Sequence, residues 1–109
     1  MSDKLKDTRL TTFKHHHVKC DSIYFDAIAN HKKVWELRYN DRTYEVGDSL
    51  HLYKFDRKSQ EYSGDVIHTT IELVFDDESY GLQKGFCVLS LGMIVLTKGV
   101  MEEGRDYDR

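Results

Sequence analysis

Apolar and polar positions alternate with a period of two over much of the chain, the pattern of strands that bury one face. Residues 12–20 predict the first such strand, with Val18 and Cys20 on the buried side and His16 sharing their parity. The spacing then changes. Asp21 or Ser22 suits a helix N-cap, and Ile23, Tyr24, Ala27 and Ile28 fall on one face of a short amphipathic helix. That helix should end near Asn30-His31, where Asn tolerates a left-handed C-terminal conformation. Residues 34–39 predict a central strand. Its large apolar set, Trp35, Leu37 and Tyr39, is expected on the core, with Val34, Glu36 and Arg38 on the opposite face.

Residues 40–42 predict a turn, and Val46-Gly47-Asp48 a second one that launches a strand over 49–55. In that strand Leu50 and Leu52 face one way and His51, Tyr53 and Phe55 the other. A polar hairpin loop is expected at 56–64. Over 65–75 Ile67, Ile71, Leu73 and Phe75 alternate with His68, Thr70 and Glu72, the clearest strand of the chain. An acidic loop follows at 76–85. Residues 86–97 form an almost continuous apolar run, which fits a strand buried on both faces as in a closed barrel, with Gly92 marking a bend or bulge. The predicted architecture is α+β: a small mixed β-barrel of about five or six strands with one or two short helices. Closure would protect the edges of so small a sheet. Residues 1–11 are expected to be a flexible arm, 12–97 the domain, and 98–109 a frayed C-terminal tail.

Composition narrows this only slightly. At 109 residues the chain makes one domain, with 32% charged and 39% hydrophobic residues. No apolar run reaches the roughly 18 residues of a membrane span, and residues 1–10 are too polar for a secretory signal. Cys20 and Cys87 sit in apolar patterns and read as reduced core thiols of a cytoplasmic protein. The net charge of −3 argues against coating nucleic acid by bulk electrostatics. The distribution is uneven, however. Residues 30–42 carry Lys32, Lys33, Arg38 and Arg42 against Glu36 and Asp41, while acidity gathers in Asp76-Asp77-Glu78 and the tail.

Several chemistries lack their motif: a Gly-rich phosphate loop, a Cys-x-x-Cys pair, His-Glu-x-x-His and a nucleophile elbow are all missing. Three consecutive histidines invite a metal, but in a strand His15 and His17 face away from His16, so the run does not converge on one ion. His51, His68 and Glu72 read as surface polar residues of an antiparallel meander. No metal or other cofactor is expected. With no large exposed apolar stripe in the pattern, a monomer is expected. Glu36 and Arg38 side by side on one strand face, with Lys33 just upstream, are the charged group most in need of an explanation.

That same stretch carries a resemblance. Lys32-Lys33-x-x-Glu36-x-Arg38 is similar to the signature of ASCH domains, small members of the PUA-like superfamily. With Asn40-Asp41-Arg42 and Val46-Gly47-Asp48 it resembles a small family of unknown function within that group, common in phage and bacterial genomes. His16-His17-Val18-Lys19, Tyr24 to Ile28, Tyr62-Ser63-Gly64 and Gly81 to Ser90 are similar to its other landmarks. The family usually has Gly where this chain has His31, and Thr where it has Val34. The resemblance implies a PUA-like barrel and recognition of RNA or a nucleotide-like molecule in a cleft lined by Lys33, Glu36 and Arg38. Lys32, Asn40, Asp41, Arg42, His16 and Lys19 would be further ligand-binding residues. Arg38 and Lys33 suit phosphate, and Glu36 or Asn40 the donor edge of a base. The alternative it implies is a small hydrolase, acting like an acetylcytidine amidohydrolase on a modified nucleoside or like a ribonuclease on RNA. Lys33 and Glu36 would then be the catalytic acid–base pair. In those amidohydrolases a Thr lies where this chain has Glu36, so a Thr nucleophile is not visible.

Overall fold

The protein's structure, a computed structural model, describes residues 13–99. The arm expected at 1–11, and all but Lys98 and Gly99 of the tail expected at 98–109, lie outside the described residues. Strand β1 (His15–Asp21) runs straight into helix α1 (Ser22–Ala29). Strands β2 (Trp35–Tyr39), β3 (Ser49–Asp56) and β4 (Glu61–Phe75) follow. One turn of 3-10 helix (Glu78–Tyr80) leads to β5 (Phe86–Leu91) and β6 (Val95–Thr97). The six strands form one mixed sheet in the order β1-β3-β4-β5-β2, with β6 pairing on β4. β1 and β3 are parallel, and every other pairing is antiparallel.

The core lies on the concave side of the sheet. Val18 and Cys20 of β1, Leu50 and Leu52 of β3, Ile67 and Ile71 of β4, and Cys87 and Leu89 of β5 meet Phe25 and Ile28 of α1 there. The period-two pattern places most of these correctly. The helix is a correction: Ile23 is 70% exposed and Tyr24 about half exposed, whereas Phe25 and Ile28, three apart, face the core. Asp21 stands at the N-cap without making a side-chain cap; its carboxylate reaches Arg57 at 3.4 Å instead. At the other end it is His31, not Asn30, that takes the left-handed conformation, with φ 61°.

Two further boundaries differ. The expected loop at 56–64 contracts to a tight turn, because the Asp56 side chain accepts from the Lys58 and Ser59 amides and its carbonyl from Gln60. Residues 56 and 61–64 therefore join the strands. The run expected as one strand over 86–97 divides at Gly92, whose amide donates to Thr70 and whose carbonyl accepts from Thr69. A Cβ there would lie 2.5 Å from the Glu72 carboxylate. Beyond it Met93, Val95 and Leu96 are exposed, so this segment is not buried on both faces.

The sheet does not close into a barrel. β1 and β2 are its two ends, and they share no backbone pairing. What spans them is a side chain: Arg38 of β2 donates through Nη1 to the carbonyl oxygen of Lys19 on β1 at 3.1 Å. The opposite, convex face over β2, β5 and β4 also departs from expectation. Trp35, Leu37, Tyr39 and Leu73 are each about half exposed there, an apolar surface that the pattern gave no reason to expect.

Candidate functional site

The strand parity of β2 holds, but its faces are reversed. Glu36 points into the concave side and is 5% exposed, while Trp35, Leu37 and Tyr39 face outward. Burying charge is costly unless it is paired and hydrogen-bonded, and here each carboxylate oxygen has its own cation. Lys33 Nζ donates to Glu36 Oε1 at 2.8 Å, and Arg38 Nη1 to Oε2 at 3.2 Å. All three side chains are largely withdrawn from solvent. The spacing makes this possible. Arg38 is two along the strand from Glu36 and shares its face, and Lys33, just before the strand, reaches forward over the same face. Two cations against one carboxylate leave the cluster with a formal charge of +1.

The cluster forms part of the wall of a cleft of about 420 Å³ between the two ends of the sheet, bordered by β1, α1 and β2. That volume falls in the range of small-molecule sites. Tyr24 and Trp35 stand at its mouth, each about half exposed. The Lys33 ammonium lies between them, 5.5 Å from the Tyr24 ring centroid and 4.5 Å from that of Trp35. Leu37 and Asp21 complete the rim. Cys20 also lines the cleft but is only 2% exposed. Burial pushes its thiol well up and the Glu36 carboxylate adds to the rise, against Lys33 and Arg38. It is a packing thiol, not a nucleophile.

Of the residues expected from the sequence to bind a ligand, Lys33, Glu36, Arg38 and Lys19 line this cleft. The Lys19 ammonium itself lies over the Phe55 ring, 4.6 Å from its centroid. Lys32 is exposed and outside the lining. Asn40 and Asp41 shape the turn after β2: Asn40 Oδ1 accepts from the Tyr44 amide and the Asp41 amide donates to Tyr39. Arg42 lies near Tyr44 rather than in the cleft.

His16 is also elsewhere. It is buried, with Nε2 at 2.8 Å from Asp48 Oδ2. Asp48, 1% exposed, further accepts from the backbone amides of Lys14 and Glu45. Burial raises its carboxyl, but these hydrogen bonds outweigh that effect and hold it below its ordinary value.

Tyr44 is a residue the sequence reading passed over. It packs edge-on against His16, with ring centroids 4.7 Å apart, and lies beside the Arg38 guanidinium. The two do not reach hydrogen-bonding geometry, and the buried Tyr44 hydroxyl has no hydrogen-bond partner among the described residues. Burial pushes its phenol up, opposed by Arg38 and Arg42. The aromatic wall Tyr24 was missed as well, and Trp35 was expected in the core rather than at the cleft. The signal for Trp35 was the same alternation, read from the wrong side.

The remaining histidines gather on the convex face. His17, His51 and His68 are directly opposite one another across β1, β3 and β4. His51 contacts His68 through Nδ1 at 2.7 Å and His15 through Nε2 at 3.0 Å. The nitrogens therefore meet in pairs. No group of three or more His, Cys, Asp or Glu side chains is arranged to hold a metal among the described residues. Glu72, which could have joined them, lies by Gly92 instead. Among the described residues, no helix is long and apolar enough to cross a membrane.

A family model described as a domain of unknown function, DUF3850, matches residues 15–91 of the chain. None of the curated proteins matches it.

Proposed function

The chain belongs to the DUF3850 family, and from that premise we propose that it is an RNA- or nucleotide-binding module, with an unpaired base held in the cleft between β1 and β2. The observation that carries this reading is the chemistry of the cleft: two half-exposed aromatic rings at the mouth above a withdrawn Lys33–Glu36–Arg38 cluster. Aromatic faces accept a base by stacking. Glu36 can accept from an exocyclic amino group while Arg38 or Lys33 donates to a carbonyl or phosphate oxygen. A buried ion network adds little net stability, so its presence at a cleft favours a ligand over a purely structural role. We place the domain, on the resemblance of its motifs, with the ASCH domains of the PUA-like superfamily, in the cytoplasm.

Binding is favoured over hydrolysis. Among the described residues the cleft lining holds no serine or threonine, and the Cys20 thiol is buried and raised. Only a Lys33–Glu36 acid–base pair could act, and each is already engaged with the other.

The test is titration of the protein with short single-stranded RNA, mononucleotides and nucleosides over a series of salt concentrations. Affinity should weaken with salt for RNA and fall at least tenfold in Glu36→Gln and Arg38→Ala. Unchanged affinity in both variants would overturn the reading. Turnover of acetylcytidine, lost in Lys33→Ala, would replace it with the hydrolytic one.

A further inference from the structure

The convex face of β2, β5 and β4 meets the cleft only at Trp35 and Leu37, which stand on its rim, and the rest of it plays no part there. Its residues stand in register across the three strands. Trp35 and Leu73 flank Ser90 in one row, and Leu37 and Phe75 flank Val88 in the next. Tyr39 extends the surface along β2. Trp35, Leu37, Tyr39 and Leu73 are 46%, 49%, 56% and 57% exposed. With large side chains covering roughly 150–250 Å² each, the face leaves on the order of 500 Å² of apolar area open. That is near the upper end of what a monomer tolerates as one patch, roughly 300–600 Å².

We propose that this face is the contact between two copies of the chain, packed sheet on sheet about a two-fold axis. The area fits the occupant. A standard interface covers roughly 800 Å² on each partner, of which somewhat more than half is apolar. The charges fit as well. β2 and β4 run in the same direction, both antiparallel to β5. The acidic run Asp76-Asp77-Glu78 therefore leaves β4 at one end of the face, and exposed Lys32 precedes β2 at the other. A two-fold axis lying between the two sheets and perpendicular to the strands lays the acidic end of each copy over the basic end of its partner. Nucleic acid suits this face poorly. The acidic run at its end repels phosphate. Trp35 and Leu37 border both surfaces, whereas Leu73 lies outside the cleft lining and tests the dimer face by itself.

Light scattering on a sizing column, over protein concentrations from low to high micromolar, tests it. The expected result is a mass of two chains at the upper end, dissociating on dilution. Leu73→Glu should give a single-chain mass throughout with a cooperative melt retained, since Leu73 is largely exposed and outside the cleft. Leu73→Ser, milder should the glutamate impair folding, should raise the dissociation constant about tenfold, because the change acts twice in a two-fold interface. A wild-type chain that stays single at every concentration overturns the proposal, as does a dimer indifferent to both substitutions. A wild-type chain that is single and loses affinity for single-stranded RNA on Leu73→Glu assigns the face to nucleic acid instead, which also overturns it.

Discussion

Arg38 on β2 donates to the carbonyl oxygen of Lys19 on β1 at 3.1 Å, joining two strands that exchange no backbone hydrogen bond. The same Nη1 holds Glu36 at 3.2 Å. One guanidinium thus fixes the separation of the sheet's ends and the position of the carboxylate in the cleft wall. A ligand that binds there engages groups whose arrangement is already set.

Arg38→Ala should destabilise the fold by about 3 kcal/mol, since it leaves the Glu36 carboxylate with one cation instead of two and frees the end of β1. Arg38→Lys should recover only part of this, because an ammonium is a poor substitute for a planar fork. Urea unfolding of the three proteins gives the comparison.

Trp35→Ala separates the two possible faces of β2. A core tryptophan would cost roughly 3–5 kcal/mol. Half exposed at the cleft mouth, Trp35 should cost only about 1 kcal/mol, while the affinity of a stacking ligand falls substantially. A melting curve shifted as far as a core deletion would contradict the outward placement.

His31→Gly should stabilise the protein by about 0.5 kcal/mol. His31 has φ 61°, and a side chain with Cβ resists that left-handed region while glycine does not. The urea midpoint should rise with the slope unchanged.

Acid should weaken the fold in part through Asp48. Its folded pKa lies below the ordinary 3.8, so its contribution is complete above that value, where both states are ionised. As the pH falls below 3.8 the unfolded chain takes up the proton first, and the contribution is lost through the lower folded pKa. Asp77, also held low by its bonds to Ser79, contributes slope of the same sign. Asp48→Asn should therefore flatten, without abolishing, the fall of the urea midpoint between about pH 4 and pH 2.

Much of this was legible in the alternation of residue types. Leu50, Leu52, Ile67 and Ile71 declared their faces because hydrophobic burial leaves little choice at these positions. Lys33, Glu36 and Arg38 were legible as a group because strand spacing forces the last two together. Which face of β2 turned inward was not. Alternation gives parity, not direction, and at the end of a sheet a mutually paired ion cluster can go inside while tryptophan stays out. Closure was also out of reach. The pattern that makes a barrel strand makes an open sheet's end strand too, and the gap between β1 and β2 is bridged by a side chain, which no periodicity records.

The position of β1 and β2 as the two ends of the sheet also bears on the order of assembly. β3 and β4 are joined by a tight turn and can zip together as a hairpin as soon as both exist. β2 must wait for β5, made far later: Trp35 finds its partner only when Ser90 has been synthesised. Until then its apolar side chains and the charges of Lys33, Glu36 and Arg38 belong to an unpaired segment. The cleft thus comes into being only once β5 has been made, and a chain that stalls before it would carry every residue of the site and none of its geometry.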